Sequence, residues 1–188
     1  MDNITTLLKA QESGVDEGLM HNLMPLVYEE MKRIASRQLY RERVNHTLNT
    51  TALVHEAYLK LSKLDRIDLK NRNHFFGVAS HVMRNILASY AVKKNALKRG
   101  GDLNQITLGS EALAVEYNIE DILSIHQALE KLATVDERQV RVIECRFFGG
   151  MTLDETAEAL GVSGRTVSRD WELARAWLNV ELGFDDKE

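Results

Sequence analysis

Residues 152–178 read TLDETAEALGVSGRTVSRDWELARAWL, and this stretch decides the fold of the C-terminal part of the chain. Thr152 and Glu155 have the spacing of a capping box, which predicts that a helix begins immediately after Thr152. Gly161 predicts the turn that ends this helix, and Ser163 predicts the N-cap of a second one. The stretch therefore predicts two helices joined by a tight glycine turn.

The apolar residues of these two helices predict which sides are buried. In the first helix, Leu153–Leu160, the residues expected to face inward are Leu153, Ala157 and Leu160. In the second helix, apolar residues repeat at helical steps, and the predicted buried stripe is Val167, Trp171, Ala174 and Leu178. The opposite side of the second helix presents a polar and basic set, namely Gly164, Arg165, Ser168, Arg169 and Glu172.

A short helix, a glycine turn and a second helix with an exposed basic face are typical of a DNA-binding helix-turn-helix. Arg165 and Arg169 lie one turn apart near the start of the second helix, which is the end that reaches base edges in the major groove. Two helices packed around a glycine also occur in proteins that bind no DNA. Small residues at Ala157, Gly161 and Gly164 favour the DNA-binding interpretation, because close helix crossing requires them.

The remainder of the chain shows helical spacing of apolar residues, so an all-α protein is predicted. The clearest N-terminal stretches span residues 19–35, 53–64 and 75–90, and the last of these is predicted to end near Tyr90. The chain has one proline and 11 glycines, which argues against a fold of many short strands and tight turns. Pro25 is expected to bend or break the first long helix.

Charge along the chain predicts two domains, although the net charge is only −4. Residues 60–101 contain ten basic and two acidic side chains, whereas residues 102–137 contain one basic and eight acidic side chains. Residues 100–118 lose helical periodicity and hold three glycines, which predicts a flexible linker. The sequence therefore predicts two helical domains, residues 1–99 and residues 119–188.

The basic block contains a second candidate nucleic-acid surface. Cations neutralise phosphates, and amides beside cations suit the displaced bases of a single strand. The candidates are Arg84, Asn85, Lys93, Lys94, Lys98 and Arg99. The alternative for the lysines is a solvated helix end, and Phe75 and Phe76 are predicted to be core residues rather than stacking platforms.

Composition excludes several other classes of protein. The chain is 44% hydrophobic and 28% charged, which is typical of a globular protein. It contains no apolar run near the roughly 20 residues that cross a bilayer and no signal-peptide pattern at its start, so we expect a cytoplasmic protein without membrane contact. The single cysteine, Cys145, excludes an internal disulfide and a cysteine-built zinc site.

No catalytic, metal or cofactor site is predicted. His55-Glu56 begins like a zinc-protease signature, but Leu59 occupies the position of the second histidine. Cys145 lies in an apolar stretch between Ile143 and Phe147, so we expect it to be buried rather than nucleophilic.

Several motifs resemble those of sigma-70-type sigma factors. Arg138-Gln139, residues 144–152 (ECRFFGGMT) and residues 167–178 resemble promoter-reading region 4, in the form of an extracytoplasmic-function-like subgroup. Residues 51–61, TALVHEAYLKL, resemble region 2.2, and residues 75–99 resemble regions 2.3 and 2.4. The match covers nearly the whole chain in the family's order.

The resemblance implies an all-α protein with a region 2 bundle at residues 1–99, a linker at 100–118 and a region 4 helix-turn-helix at 119–188. Such a sigma factor binds core RNA polymerase, directs it to specific promoters and assists promoter opening. The resemblance assigns the upstream (minus thirty-five) element to Ser163, Arg165, Thr166, Ser168 and Arg169. It assigns the downstream (minus ten) element to Arg84, Asn85, Lys93, Lys94, Lys98 and Arg99.

The resemblance also places a polymerase-binding surface on the region 2.2 helix, at Leu53, Glu56, Ala57, Leu59 and Lys60. For its apolar members the alternative is burial in the core, and for Glu56 and Lys60 it is a surface ion pair. Promoter DNA and core polymerase are the expected partners, and an anti-sigma protein is a further candidate. The alternative function is a stand-alone helix-turn-helix regulator with a helical sensor or dimerisation domain, and a metal-dependent hydrolase ranks third.

Overall fold

The structure is a computed structural model that describes residues 3–10, 17–39, 46–63, 69–98 and 119–183. These ranges contain eight α-helices and no strand, so the all-α prediction is confirmed. The helices are α1 (Asn3–Ala10), α2 (Glu17–Gln38), α3 (His46–Ser62), α4 (Arg72–Lys98), α5 (Ile119–Val135), α6 (Glu137–Ile143), α7 (Leu153–Leu160) and α8 (Gly164–Glu181). A π-helical turn, Glu144–Phe148, continues α6.

Helices α2, α3 and α4 pack around the N-terminal core, and α1 lies against α2 and α4. Phe75 and Phe76 are buried there with their ring centroids 5.3 Å apart, edge to face, which confirms that they are core residues. Each fully buried large apolar side chain contributes about 1.5–3 kcal/mol relative to an exposed one. The apolar faces of these three long helices are therefore what holds this half together.

Of the predictions about helices in this half, a break at Pro25 and an end of α4 near Tyr90 were wrong, and a bend at Pro25 stays a prediction. Pro25 does not break α2, which continues through it, because Leu23 and Val27 on either side are fully buried and their packing outweighs the lost backbone hydrogen bond. Helix α4 does not end near Tyr90 but runs to Lys98. Ala91 is still buried on the core face, and no residue that breaks a helix intervenes before Gly100.

The C-terminal half contains the predicted helix-turn-helix, formed by α7 and α8. Thr152 and Glu155 make the capping box at the start of α7, and Gly161 ends this helix with φ of 66°. Trp171 and Leu178 pack against a separate cluster that includes Leu129, Leu132 and Ala174. The predicted turn chemistry and the buried stripe of α8 are therefore confirmed.

The predicted inward face of α7 is only part of its buried surface: Leu160 packs against the N-terminal core, and Leu153 lies close to Gly164 of α8. The buried residues of α7 are Thr156 and Ala159, whereas Leu153, Ala157 and Leu160 are only half-buried. The physical reason is that α7 packs against α4 as well as α8, so the side that meets α4 is the more deeply buried.

The glycines of the motif serve two different purposes. A Cβ on Gly164 would lie 2.5 Å from Leu153 Cδ2, so a larger residue there would have to displace the end of the Leu153 side chain where α7 and α8 cross. Gly161 has open space around it and is instead needed for its left-handed backbone conformation.

The two halves of the chain pack against each other in this structure. Helix α4 contacts α5, α7 and the π-helical turn, and Cys145, Met151 and Ala159 join the N-terminal core. Residues 100–118, where the linker is predicted, lie outside the described residues. The division into two domains stays a prediction. In this structure the two predicted domains share the contact that α4 makes with α5, α7 and the π-helical turn.

Candidate nucleic-acid interface

The start of α8 is held by its N-cap. Ser163 Oγ accepts a hydrogen bond from the Thr166 backbone N at 3.2 Å, and the two hydroxyl oxygens lie 2.9 Å apart. This arrangement satisfies backbone groups that would otherwise lack a partner at the helix end. The predicted capping role of Ser163 is confirmed, and its hydroxyl is already engaged with Thr166.

The candidate recognition residues lie at or near the surface of the helix-turn-helix. Ser163, Arg165 and Arg169 are exposed, and Thr166 and Ser168 are half-buried. Since residues four apart share a helix face, Arg165 and Arg169 present two cations on one side of α8. The structure therefore leaves the predicted upstream-element face accessible.

Asp170 lies behind this face and is bound by two arginines. Its side chain is 1% exposed, and Arg138 Nε donates to Asp170 Oδ2 at 2.5 Å. Arg169 Nη2 donates to Oδ1 at 3.3 Å. Burial alone would raise the pKa of Asp170, but its hydrogen bonds and charge attraction with Arg138 and Arg169 lower it below the usual value. This carboxylate is thus neutralised inside the motif and does not face a DNA backbone.

Trp171 of α8 contacts two cations, Arg146 of the π-helical turn and Arg175 of α8 itself. The guanidinium carbon of Arg146 lies 4.9 Å from the indole centroid, and that of Arg175 lies 5.8 Å from it. Such contacts contribute about 0.5–2 kcal/mol, depending on solvent exposure. Together with Asp170, they make the helix-turn-helix a firm platform for the residues at its surface.

The second candidate surface, on α4, is divided between exposed and covered residues. Lys93 is exposed, and the half-buried Lys94 has its Nζ 5.8 Å from the ring centroid of Tyr90. Lys98 is the last residue of α4, and Arg99 lies outside the described residues.

Arg84 and Asn85 are engaged by other side chains in this arrangement. Arg84 is 6% exposed, and its Nε donates to Glu144 Oε1 at 2.9 Å. Asn85 Nδ2 lies 2.9 Å from His81 Nε2. Arg84 therefore does not stand on the exposed basic surface that the sequence predicts, because the C-terminal half covers it with a carboxylate. Its role in DNA binding stays a prediction.

The candidate polymerase-binding residues of α3 also separate into two groups. Leu53 and Ala57 are fully buried in the N-terminal core, as the alternative interpretation has it. Glu56, Leu59 and Lys60 are exposed, and Leu59 is an apolar side chain with half of its surface in solvent. A partner can reach only the second group directly.

A comparison with known protein families identifies the family of this chain. A family model described as ECF sigma factor matches residues 1–183. The chain belongs to the ECF sigma factor family. A search among proteins with curated functions found no match. Family membership gives this sigma factor a role in transcription initiation and implies binding to core RNA polymerase and promoter DNA.

Cys145 of the sigma factor is buried, as predicted. Burial raises the pKa of its thiol to about 12, so the thiolate needed for nucleophilic attack is not formed at neutral pH. Across the described ranges, no group of three His, Cys, Asp or Glu side chains is placed to hold a metal ion. None of the helices in those ranges is long and apolar enough to span a membrane.

Sequence reasoning missed Glu144, which is the most deeply buried acidic residue on the α4 contact. It stands between Ile143 and Cys145, and a lone charge within an apolar run is the signal that could have found it. Its partners Arg84 and His81 lie about sixty residues earlier in the chain, so no local pattern connects them to it.

Proposed function

We propose that this sigma factor directs core RNA polymerase to specific promoters by reading an upstream element with the start of α8. The observation that carries the proposal is the exposed pair Arg165 and Arg169. Their helix is capped by Ser163, and its buried Asp170 is paired with Arg138. A bidentate contact from arginine to guanine provides about 1–3 kcal/mol of discrimination per base. Few contacts suffice, because polymerase supplies the remaining affinity.

We further propose that α4 holds the downstream element as its strand is displaced. Lys93 and Lys94, followed by Lys98 and Arg99, provide positive charge for the phosphates. Arg84 and Asn85, about two to four turns earlier on the same helix, provide groups that can hydrogen-bond bases. Extruding a base costs a few kcal/mol, which these contacts have to offset.

Core polymerase is proposed to dock on the exposed side of α3. Leu59 supplies an apolar contact, and Glu56 and Lys60 flank it with opposite charges. Leu53 and Ala57 support this helix from the core beneath it. A sigma factor works where polymerase and chromosome are, so we propose a cytoplasmic location, with an anti-sigma protein that covers these surfaces as a further partner.

Run-off transcription with purified core polymerase on a promoter library tests the upstream role. Wild-type protein is expected to start transcription from a defined set of promoters only when core polymerase is present. Arg165→Ala should reduce the preference for the upstream element by about 5- to 150-fold, which corresponds to about 1–3 kcal/mol. Binding to core polymerase should not change.

Arg33→Ala is the control, because it removes the same charge from an exposed position of α2, outside the helix-turn-helix. Unchanged promoter preference in Arg165→Ala would remove the recognition role from α8. Tight promoter binding by the isolated protein, combined with indifference to polymerase, would instead support the stand-alone regulator.

A charge reversal tests the downstream role. Lys98→Glu combined with Arg99→Glu should slow promoter opening while leaving polymerase binding intact, because it replaces attraction to phosphates with repulsion. The control is Lys63→Glu combined with Lys70→Glu, since both lysines are exposed members of the same basic block. Normal opening kinetics in the first variant, measured by fluorescence of a base analogue in the downstream element, would contradict this assignment.

A further inference from the structure

Arg169 and Asp170 are consecutive residues of α8, yet their side chains are in contact. Successive residues of an α-helix point about 100° apart, so neighbouring side chains do not ordinarily face each other. Both Nε and Nη2 of Arg169 donate to Asp170 Oδ1, at 3.4 Å and 3.3 Å. The Arg169 side chain therefore turns across the helix surface toward this carboxylate instead of extending freely into solvent.

The carboxylate that holds Arg169 is itself fixed from a different helix. Asp170 is 1% exposed, and Arg138 of α6 contacts both of its oxygens, with Nε 2.5 Å from Oδ2 and Nη2 3.4 Å from Oδ1. The start of α6 is capped by Asp136, whose side chain accepts a hydrogen bond from the Arg138 backbone N at 2.9 Å. A two-point contact from arginine to a carboxylate fixes direction as well as distance. Asp170 is therefore a rigid anchor for Arg169.

The contact with Asp170 leaves one edge of the Arg169 guanidinium available. A guanidinium carries five N–H donors in a planar fork, and Asp170 engages those on the Nε side. The other edge, formed by Nη1 and Nη2, still has two parallel N–H donors, and Arg169 is 65% exposed. Two parallel donors match O6 and N7 of guanine in the major groove. The edge that can read guanine is therefore the one that points away from the carboxylate.

The other exposed arginine of the pair has no such anchor. Among the described residues, no hydrogen bond or ion pair holds Arg165, although it lies one turn before Arg169 on the same face. A long side chain that is free in solvent loses conformational entropy when it binds, whereas one that is already held loses less. The two arginines therefore differ in how far they are preorganised for DNA.

We propose that Asp170, fixed by Arg138, is a positioning residue that aims Arg169 at a guanine of the upstream element. Asp170 acts through Arg169 and does not touch DNA, because its carboxylate is buried. Two guanidiniums share this one carboxylate, so the group keeps a net positive charge toward DNA. A buried ion pair adds little net stability, and here it supplies geometry instead. This inference rests on the proposed reading of the upstream element by α8.

Run-off transcription with core polymerase, on a promoter library that varies every upstream base, tests the positioning role. Arg169→Ala identifies the position that Arg169 reads, as the one where the preference for guanine falls. Asp170→Asn keeps the side-chain shape but removes its charge, and its carbonyl oxygen should stay with Arg138, whose contact is the shorter one. We expect the guanine preference at that position to fall about fivefold, which corresponds to about 1 kcal/mol. The preference at the position read by Arg165 should not change.

The matched control is Asp121→Asn, which removes an equal charge from an exposed position of α5, outside the helix-turn-helix. It should leave every base preference unchanged. Asp170→Asn combined with Arg169→Ala should match Arg169→Ala alone, since Asp170 acts only through Arg169. An unchanged profile in Asp170→Asn, an equal loss at all positions, or a further loss in the double variant would each overturn the positioning role.

Arg138→Lys tests the anchor without leaving the buried carboxylate unpaired. Lysine keeps the positive charge but offers a point contact instead of a two-point one, so Asp170 is held less firmly. We expect the guanine preference at the Arg169 position alone to fall by about twofold. No loss in this variant, or a loss spread over all positions, would overturn the part of the proposal that assigns the anchor to Arg138.

A second measurement needs neither polymerase nor DNA. In isotopically labelled protein the Arg169 Nε–H gives a side-chain NMR signal, which Arg169→Lys identifies by removing it. Because this N–H donates to Asp170, we expect it to exchange with water about fivefold more slowly in wild type than in Asp170→Asn. The Arg165 Nε–H, identified by Arg165→Lys, should exchange at the same rate in both proteins.

Circular dichroism establishes that each variant is folded before either measurement. Equal exchange rates at Arg169 in wild type and folded Asp170→Asn would overturn the positioning role. The positioning role and the proposed function fail separately. Exchange at Arg169 that depends on Asp170, in a protein without any upstream preference, contradicts only the function. A clear upstream preference that is insensitive to Asp170→Asn contradicts only the positioning role.

Discussion

At the start of α8 the arginines of the helix-turn-helix stand in solvent, whereas the arginine in the middle of α4 is enclosed by the C-terminal half. Arg169 is 65% exposed although Asp170 is its immediate neighbour, while Arg84 is 6% exposed because Glu144, sixty residues away, is brought against it. The accessibility of a basic residue to DNA thus depends on which distant carboxylate the fold delivers to it. Local charge counts alone do not reveal this.

The largest expected effect compares these two arginines directly. Arg84→Ala leaves Glu144 buried without its closest cation, and we expect the free energy of unfolding to fall by about 3 kcal/mol, the lower end for a broken buried ion pair. Partial separation of the halves, which returns the carboxylate to water, limits the loss. Arg165→Ala should leave the free energy of unfolding almost unchanged. Urea unfolding followed by circular dichroism measures both, and equal losses would contradict the distinction.

Lowering the pH tests the two buried carboxylates, Glu144 and Asp170, at the same time. Burial alone would raise the pKa of Glu144, but its hydrogen bond with His81 and its attraction to His81, Arg84 and Arg141 lower it below the usual 4.5. Because the folded-state pKa is the lower one, the stabilisation is fully present above about pH 4.5 and is lost as pH falls through the folded value. The pKa of Asp170 is also lowered, so both regions are expected to weaken in acid.

The measurement is the free energy of unfolding between pH 3 and pH 6 for wild type, Glu144→Gln and Asp170→Asn. In each variant the free energy of unfolding should fall less on acidification than it does in wild type, since each substitution removes one titrating group. Identical pH profiles for all three proteins would show that neither carboxylate contributes to acid sensitivity.

The smallest effect concerns the helix cap alone. Ser163→Ala removes the side-chain acceptor for the Thr166 backbone N, and we expect a loss of about 1 kcal/mol in the free energy of unfolding. Ser163→Asp is the control, because it keeps an acceptor at the N-cap and should retain most of the stability. A loss in Ser163→Ala as large as that in Arg84→Ala would mean that the cap also supports the contact with α4.

Local chemistry made the helix-turn-helix predictable in detail. The capping box at Thr152 and Glu155, the left-handed Gly161 and the N-cap at Ser163 each depend on residues within one turn of one another. The candidate recognition face followed from the same helical register. The burial of Phe75 and Phe76 was predictable for a similar reason, because helical periodicity places them on one apolar face.

Contacts between residues far apart in the sequence explain the features that could not be predicted from it. The apolar spacing of α7 placed Leu153, Ala157 and Leu160 on its inward face, but its most deeply buried residues are Thr156 and Ala159, because α7 also packs against α4. Asp170 is an acidic residue on the recognition helix, and Arg138, thirty-two residues earlier, binds it inside the motif. Neither partner can be identified from helical spacing.

The sequence by itself determined the helical class, the caps and turn of the helix-turn-helix and the order of basic and acidic segments, since these depend on neighbours a few residues apart. Only the tertiary structure decided that α4 meets the C-terminal half, that Glu144 covers Arg84 and that Asp170 is neutralised. The physical reason is that a buried charge requires a specific partner, and the partner's position is set by the packing of whole helices.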